Sequence, residues 1–195
     1  MIRSSIGIKA WLAKTPHVDE VRPAHCAGCG AASRPVGEAL VIHGHGLLLR
    51  QVRGVLSLQD QPGVVVVSVR RYACQRCGAV MTVVPAGMLA RRQYSGPSIA
   101  VALYLWLLAG HSDRAVRARL CAWQVRGSND RGWAQLYRWA RQAASLFALP
   151  RRVPVLDAAY ETARHVVLTL RALAPAALRG ASTALQIFEG AAVMR

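Results

Sequence analysis

The sequence predicts an α+β chain, and three observations carry that expectation. Two Cys-x-x-Cys-Gly motifs, "CAGCG" at 26–30 and "CQRCG" at 74–78, frame a segment of Val-rich runs. Beyond residue 87 those strand-like runs stop and helical periodicity starts. The positive charge concentrates in that second part. The first part therefore reads as a β-rich, four-cysteine zinc ribbon over residues 22–86, and the second as an all-helical, helix-turn-helix-like region over 87–150. Residues 1–21 precede them as an N-terminal cap segment, and residues 151–195 follow as C-terminal helices that pack or dimerise.

The N-terminal stretch "IGIKAWLAKTPHVDEV" reads as a short strand or helix capping the ribbon, with no chemistry of its own. In the ribbon, Cys26, Cys29, Cys74 and Cys77 are the candidate metal ligands. Thiolates bind zinc tetrahedrally, and four of them close a structural site with no open position for water, which argues against catalytic zinc. Gly30 and Gly78 each follow the second cysteine of a knuckle, where positive φ is often needed. The same ligands suit a rubredoxin-like iron site, and the sequence leaves that alternative open. A disulfide framework or a thioredoxin-like redox pair explains two equivalent knuckles less well.

Forty-four residues separate Cys29 from Cys74, more than a short zinc-ribbon gap, so the insert must hold structure. "EALVIHG", "GLLLRQVRG", "VVVVSVRRY" and "GAVMTVVP" read as strands, with "QDQPG" at 59–63 a turn. His43 and His45 then flank a strand turn, and His25 is not needed as a ligand.

The helical part opens with Ser95, Gly96 and Pro97, and proline suits a first turn. A buried helix follows over about 97–109, too short to span a membrane. Ser112 is the N-cap of a second helix over about 113–123, with Asp113 favourable in its first turn. Val116, Leu120 and Trp123 share one face of that helix, and Arg114 and Arg117 lie off it. "QVRGSND" breaks the chain, and a third helix covers about 131–147. At 100° per residue, Trp133, Leu136, Tyr137, Ala140 and Ala144 gather on one side; Arg131, Gln135, Arg138 and Gln142 fall nearly opposite. Guanidinium and amide groups pair bidentately with guanine and adenine edges. Such a three-helix layout fits a module whose third helix enters the major groove. Cys121, inside the second helix, reads as a small buried hydrophobe.

The chain carries 25 Lys plus Arg against 9 Asp plus Glu, a net +16. Residues 91–152 hold eleven arginines against two aspartates, a net +9. Cationic folded surfaces attract polyanions through phosphate neutralisation and counterion release. Double-stranded DNA is the expected partner. Arg50, Arg53, Arg70 and Arg71 would grip phosphates beside the ribbon, and Arg114, Arg117, Arg131, Gln135, Arg138 and Gln142 would meet DNA from the helices. RNA is the alternative polyanion. A protein-interaction adaptor docking a partner enzyme through the C-terminal helices is the alternative of a different class.

The cysteine knuckles, the strand pair with "HGHGLLLRQVRG", then "VRRYACQRCGAVMTVVP" and "RRQYSGPSIAVALYLWLLAGHSDRAVRARL" resemble the N-terminal zinc ribbon plus helix-turn-helix of bacterial insertion-sequence transposases and of related small uncharacterised bacterial proteins. The resemblance spans roughly residues 22–145, and "RRYxCxxCG" is its most specific part. It implies Cys26, Cys29, Cys74 and Cys77 as ligands and Arg131, Gln135 and Arg138 facing DNA. Those transposases continue into an RNase H-like domain with three carboxylates holding two Mg²⁺ ions. About 45 residues follow Pro150 here, with Asp157, Glu161 and Glu189 as their acids, so the expectation is a non-enzyme.

Asp157, Glu161, Arg164 and His165 read as intrahelical ion pairs. Val155, Tyr160, Val166, Val167, Leu170 and Leu173 give the tail an apolar surface, for core packing or for a homodimer seam through 151–195. With no long apolar segment and no export signal in "MIRSSIGIKAWLAK", the expected location is the cytoplasm, without membrane contact.

Overall fold

The structure, a computed structural model, describes residues 1–122, 133–149 and 158–194. It is mixed α/β: a four-stranded sheet and, among the described residues, six α-helices.

The sheet has the order β1-β4-β3-β2, formed by β1 (Ile2–Gly7), β2 (Ile42–Gly54), β3 (Gly63–Cys74) and β4 (Val80–Ala86). β2 and β3 form a long antiparallel hairpin, and β4 returns antiparallel to β3. β1 lies parallel to β4, with Ile2 opposite Val83 and Arg3 opposite Val84.

Two expectations change here. "EALVIHG" and "GLLLRQVRG" are not two strands: residues 42–54 run as one, with a register shift between Gly44 and Leu47. Gly46 sits at φ 87 within that irregularity, so a glycine that signals a turn in sequence serves a bulge. His43 and His45 consequently lie exposed in a strand rather than flanking a turn. The N-terminal segment is both strand and helix, and it belongs to the sheet's own core. Trp11 of α1 (Ile8–Ala13) is fully buried and donates its indole N–H to the Ser68 carbonyl at 2.8 Å. The Tyr72 hydroxyl donates to the Val18 carbonyl at 2.7 Å, and Arg22 donates to the Ile42 carbonyl. Val67, Val69, Tyr72, Met81 and Val83 complete that core.

A second core is helical. α2 (Gly96–Leu107) lies at its centre and is buried over most of its circumference, which explains why "GPSIAVALYLWL" is apolar without a polar stripe. The Ser95 side chain caps it by accepting the Ser98 N–H, and Pro97 occupies the first turn. Ser112 likewise caps α3 (Asp113–Leu120), accepting the Ala115 N–H at 3.3 Å. α4 (Ala134–Leu146), α5 (Ala158–Ala172) and α6 (Thr183–Val193) pack around α2. Val166, Val167 and Leu170 of α5 are buried against this core, so the apolar tail that suggested a dimer seam is largely used within the chain. Trp123, Arg131, Val155 and Asp157 lie outside the described residues. No helix among the described residues is long and apolar enough to cross a membrane.

Ser98 forms a buried polar joint between the end of β2 and the helical core. The Ser98 hydroxyl accepts from the Val55 N–H (3.1 Å) and the Ser95 hydroxyl (3.0 Å), and donates to the Val55 carbonyl (2.9 Å). Gly54, at φ 103, lets the strand end come so close that a Cβ there would lie 2.7 Å from the Ser98 Cβ. Ser98→Ala would leave both backbone groups of Val55 buried and unpaired. We expect it to lower stability by about 1–3 kcal/mol, read as a shift in the urea midpoint at unchanged m.

Candidate metal centre and basic surface

The two cysteine knuckles are near-copies in backbone geometry. In the first, the Cys26 N–H donates to the Ala31 carbonyl and the Gly30 N–H to the Cys26 carbonyl, both at 2.9 Å. In the second, the Cys74 N–H donates to the Ala79 carbonyl (3.0 Å) and the Gly78 N–H to the Cys74 carbonyl (2.9 Å). Gly30 and Gly78 sit at φ 73 and 70, the left-handed turn that the motif requires. The β2–β3 hairpin spans the long insert and returns the second knuckle beside the first.

The four thiols converge. The Sγ atoms of Cys26 and Cys77 lie 3.6 Å apart, those of Cys29 and Cys74 3.8 Å, and all four fall within 4.8 Å of one another. These separations are non-bonded, and the cysteines are free thiols rather than disulfides. A tetrahedron with metal–sulfur bonds of about 2.3 Å has edges of about 3.8 Å, so the arrangement fits a metal ion. Cys26 and Cys74 are buried, whereas Cys29 and Cys77 are exposed.

The protonation pattern points the same way. N–H groups of Cys29 and Gly28 hold the Cys26 thiol down, to about 6. At Cys77, the Ala79 N–H also pulls the value down, but sharing protons with Cys29 and Cys26 outweighs it and pushes the thiol up to about 12. Four sulfurs this close cannot all ionise without a cation among them.

The arginines expected beside the ribbon do not form one patch. By the β2–β3 register, Arg50 pairs with Val67 and so shares a face with Arg71, whereas Arg53 pairs with Val64 and shares the opposite face with Arg70. Arg70 is partly committed, its Nε donating to the Pro16 carbonyl at 2.9 Å. The Arg53 Nε is buried without a hydrogen-bond partner.

On the helices, Arg114 is exposed and Arg117 half-buried. α4 buries Leu136, Trp139, Ala140, Ala143 and Ala144, and exposes Arg138, Arg141 and Gln142; Gln135 is half-buried. Arg92, which the sequence reading did not single out, donates to the Gln142 amide oxygen at 2.6 Å, tying the "RR" pair at 91–92 to this face. The adjacency of α4 to residues 91–92 is a tertiary fact, so only the charge count hinted at it. The Trp133 N–H donates to the Asp113 carboxylate at 3.0 Å, which sets the start of α4 by the start of α3. Cys121 is half-buried and, with burial as the larger cause, helps push the Tyr94 hydroxyl upward.

Fold and centre together define a mixed α/β protein with a four-thiol site able to hold a metal ion. No protein-family model, curated protein or solved structure matches the chain.

Proposed function

We propose that the protein is a zinc-dependent DNA-binding protein, acting as a mobile-element-associated recognition protein or a transcriptional regulator. The observation that carries this reading is the cationic face of α4: Arg138, Arg141 and Gln142 are exposed, with Arg92 hydrogen-bonded to Gln142 beside them. The Gln142 carbonyl oxygen is taken by Arg92, so its amide N–H₂ is the group offered outward. Zinc in the four-thiolate site is the metal that the donor set suits best: soft ligands, four of them, within 4.8 Å of one another. Its role is structural, holding the knuckles together so that the sheet and the helices attached to it present a fixed surface.

On this reading, Arg50, Arg71 and Arg114 add phosphate contacts, which set affinity, and Arg131, Gln135 and Arg138 read bases, which sets selectivity. The test is binding to duplex DNA across a salt series. Affinity should fall about 10³-fold between 50 and 200 mM salt if some six phosphates are neutralised. Arg131→Ala with Arg138→Ala should reduce sequence preference more than total binding. No complex at low salt would remove the reading in favour of an adaptor, and tighter binding to structured RNA would replace DNA by RNA.

A further inference from the structure

β2 is an edge strand, and part of its free edge is already used by the chain itself. The Arg53 N–H donates to the Gln93 carbonyl (2.7 Å), and the Ser95 N–H donates to the Arg53 carbonyl (3.3 Å). Residues 93–95 thus add to the edge as a short parallel strand, with Tyr94 beside Arg53. Both backbone groups of Arg53 point away from β3, so by alternation those of Gln51, Leu49 and Leu47 point the same way. There the added segment has already turned off. Arg91, at φ 55, marks the divergence.

The divergence leaves an open groove of about 520 Å³ between residues 48–51 of β2 and residues 91–93. Leu48 and Leu49 line it, 44% and 67% exposed, and Leu47, 50% exposed, precedes them on β2. Three arginines line it: Arg50, Arg91 and Arg92. The Arg50 guanidinium lies 3.4 Å from the Met1 thioether, and Arg92 bonds to the neutral Gln142 amide. Neither contact offsets the positive charge.

We infer that this groove binds an extended, acidic peptide segment of a partner protein, which adds to the edge of β2 at residues 47–51 in the direction that residues 93–95 have begun. Backbone pairing supplies the affinity, the exposed leucines take alternate apolar side chains, and the arginines select carboxylates on the others. A second copy of the chain would bring the same arginines against one another. A nucleic acid strand finds no aromatic ring in the lining on which to stack a base, and cannot match a row of alternating donors and acceptors. The inference is argued from the free edge of β2 and does not rest on the DNA-binding reading, although the two readings draw on Arg50 and Arg92 in common.

The test uses the full chain with its metal, and an end-blocked eight-residue peptide of alternating glutamate and valine as the probe. Binding is read by fluorescence anisotropy and by amide hydrogen exchange. The expected result is saturable binding with slowed exchange at the amides of Leu47, Leu49 and Gln51. The same peptide N-methylated at alternate amides, and its lysine–valine counterpart, should each bind about tenfold more weakly or worse. Leu49→Pro removes an N–H that the β2–β3 ladder does not use and should weaken binding similarly, as should Arg50→Glu. Since N-methylation alters only the ligand, that comparison holds even where a variant folds poorly. Equal binding by the N-methylated peptide would overturn the inference. So would protection of the same amides by an octathymidylate that competes with the peptide, or their concentration-dependent protection in the free protein.

Discussion

Cys74→Ser is expected to abolish metal binding and to leave the sheet unfolded at 25 °C. Cys74 is buried at the end of β3, and its sulfur lies 3.8 Å from that of Cys29 across the two knuckles. The apparent binding free energy of a structural four-ligand zinc site is about 10–16 kcal/mol, comparable with or larger than the about 5–15 kcal/mol by which a whole domain is stable. Little else replaces it locally. The knuckles are built of Ala27, Gly28, Gly30, Gln75, Arg76 and Gly78, which bring almost no apolar side chain to a core. A chelator acting on the unaltered protein should have the same effect, reversed by added metal. The matched control is Cys121→Ser: this half-buried thiol stands outside the four-sulfur cluster, so metal content should not change and stability should shift by about 1 kcal/mol or less. Circular dichroism melts with parallel metal analysis read both. A Cys74→Ser protein that keeps its melting temperature would show that the sheet does not need the site.

Gly190→Ala is expected to destabilise by about 3 kcal/mol or more, although alanine for glycine inside an isolated helix gains about 1 kcal/mol. The sign reverses because α5 and α6 cross at this residue. A Cβ on Gly190 would overlap the Leu170 carbonyl oxygen and lie 2.8 Å from its carbon and 3.3 Å from the Ala174 nitrogen. These are backbone atoms that no rotamer change moves aside. The helices must separate, opening contacts made by Val167, Leu170, Ile187 and Ala191 in the helical core. Overpacking usually costs about 1–3 kcal/mol, and a rigid backbone neighbour puts this site at the upper end. The nearby cross-over is also tied by Gln186, which is buried, donates to the Leu178, Arg179 and Ala181 carbonyls and accepts from Arg171, so the joint has little room to slide. Gly180→Ala is the control. Nothing lies within 4 Å of the added Cβ there, and a gain of about 0.4–1 kcal/mol is expected from the restricted unfolded chain. Urea midpoints of the two variants should move in opposite directions; equal midpoints would contradict the crossing.

The parts legible in the sequence are those fixed by neighbours in the chain. The knuckle glycines Gly30 and Gly78, Pro97 in the first turn of α2, the cap Ser112, and the apolar stripe of α4 each follow from a few adjacent residues, and each has a local physical cause. What sequence reading missed is set by distant partners. Gly44 and Gly46 look like strand breakers, but β3 pairs through them and converts the break into a bulge. The parallel pairing of β1 with β4 joins residues some eighty apart, and no periodicity announces it. The ribbon arginines were grouped by charge, yet Arg70 and Arg71 are neighbours in a strand and must face opposite ways, a consequence already contained in the two-residue period. At the four-thiol centre the sequence supplied the ligands, and the fold supplied the β2–β3 hairpin, within the 44-residue insert, that brings them together.

The central claim is that one metal ion joins the two knuckles, and elemental analysis of protein purified without chelators tests it most directly. The account predicts one zinc per chain, released together with the titration of four thiols. A metal-free protein in which those thiols react freely while the sheet remains folded would contradict it.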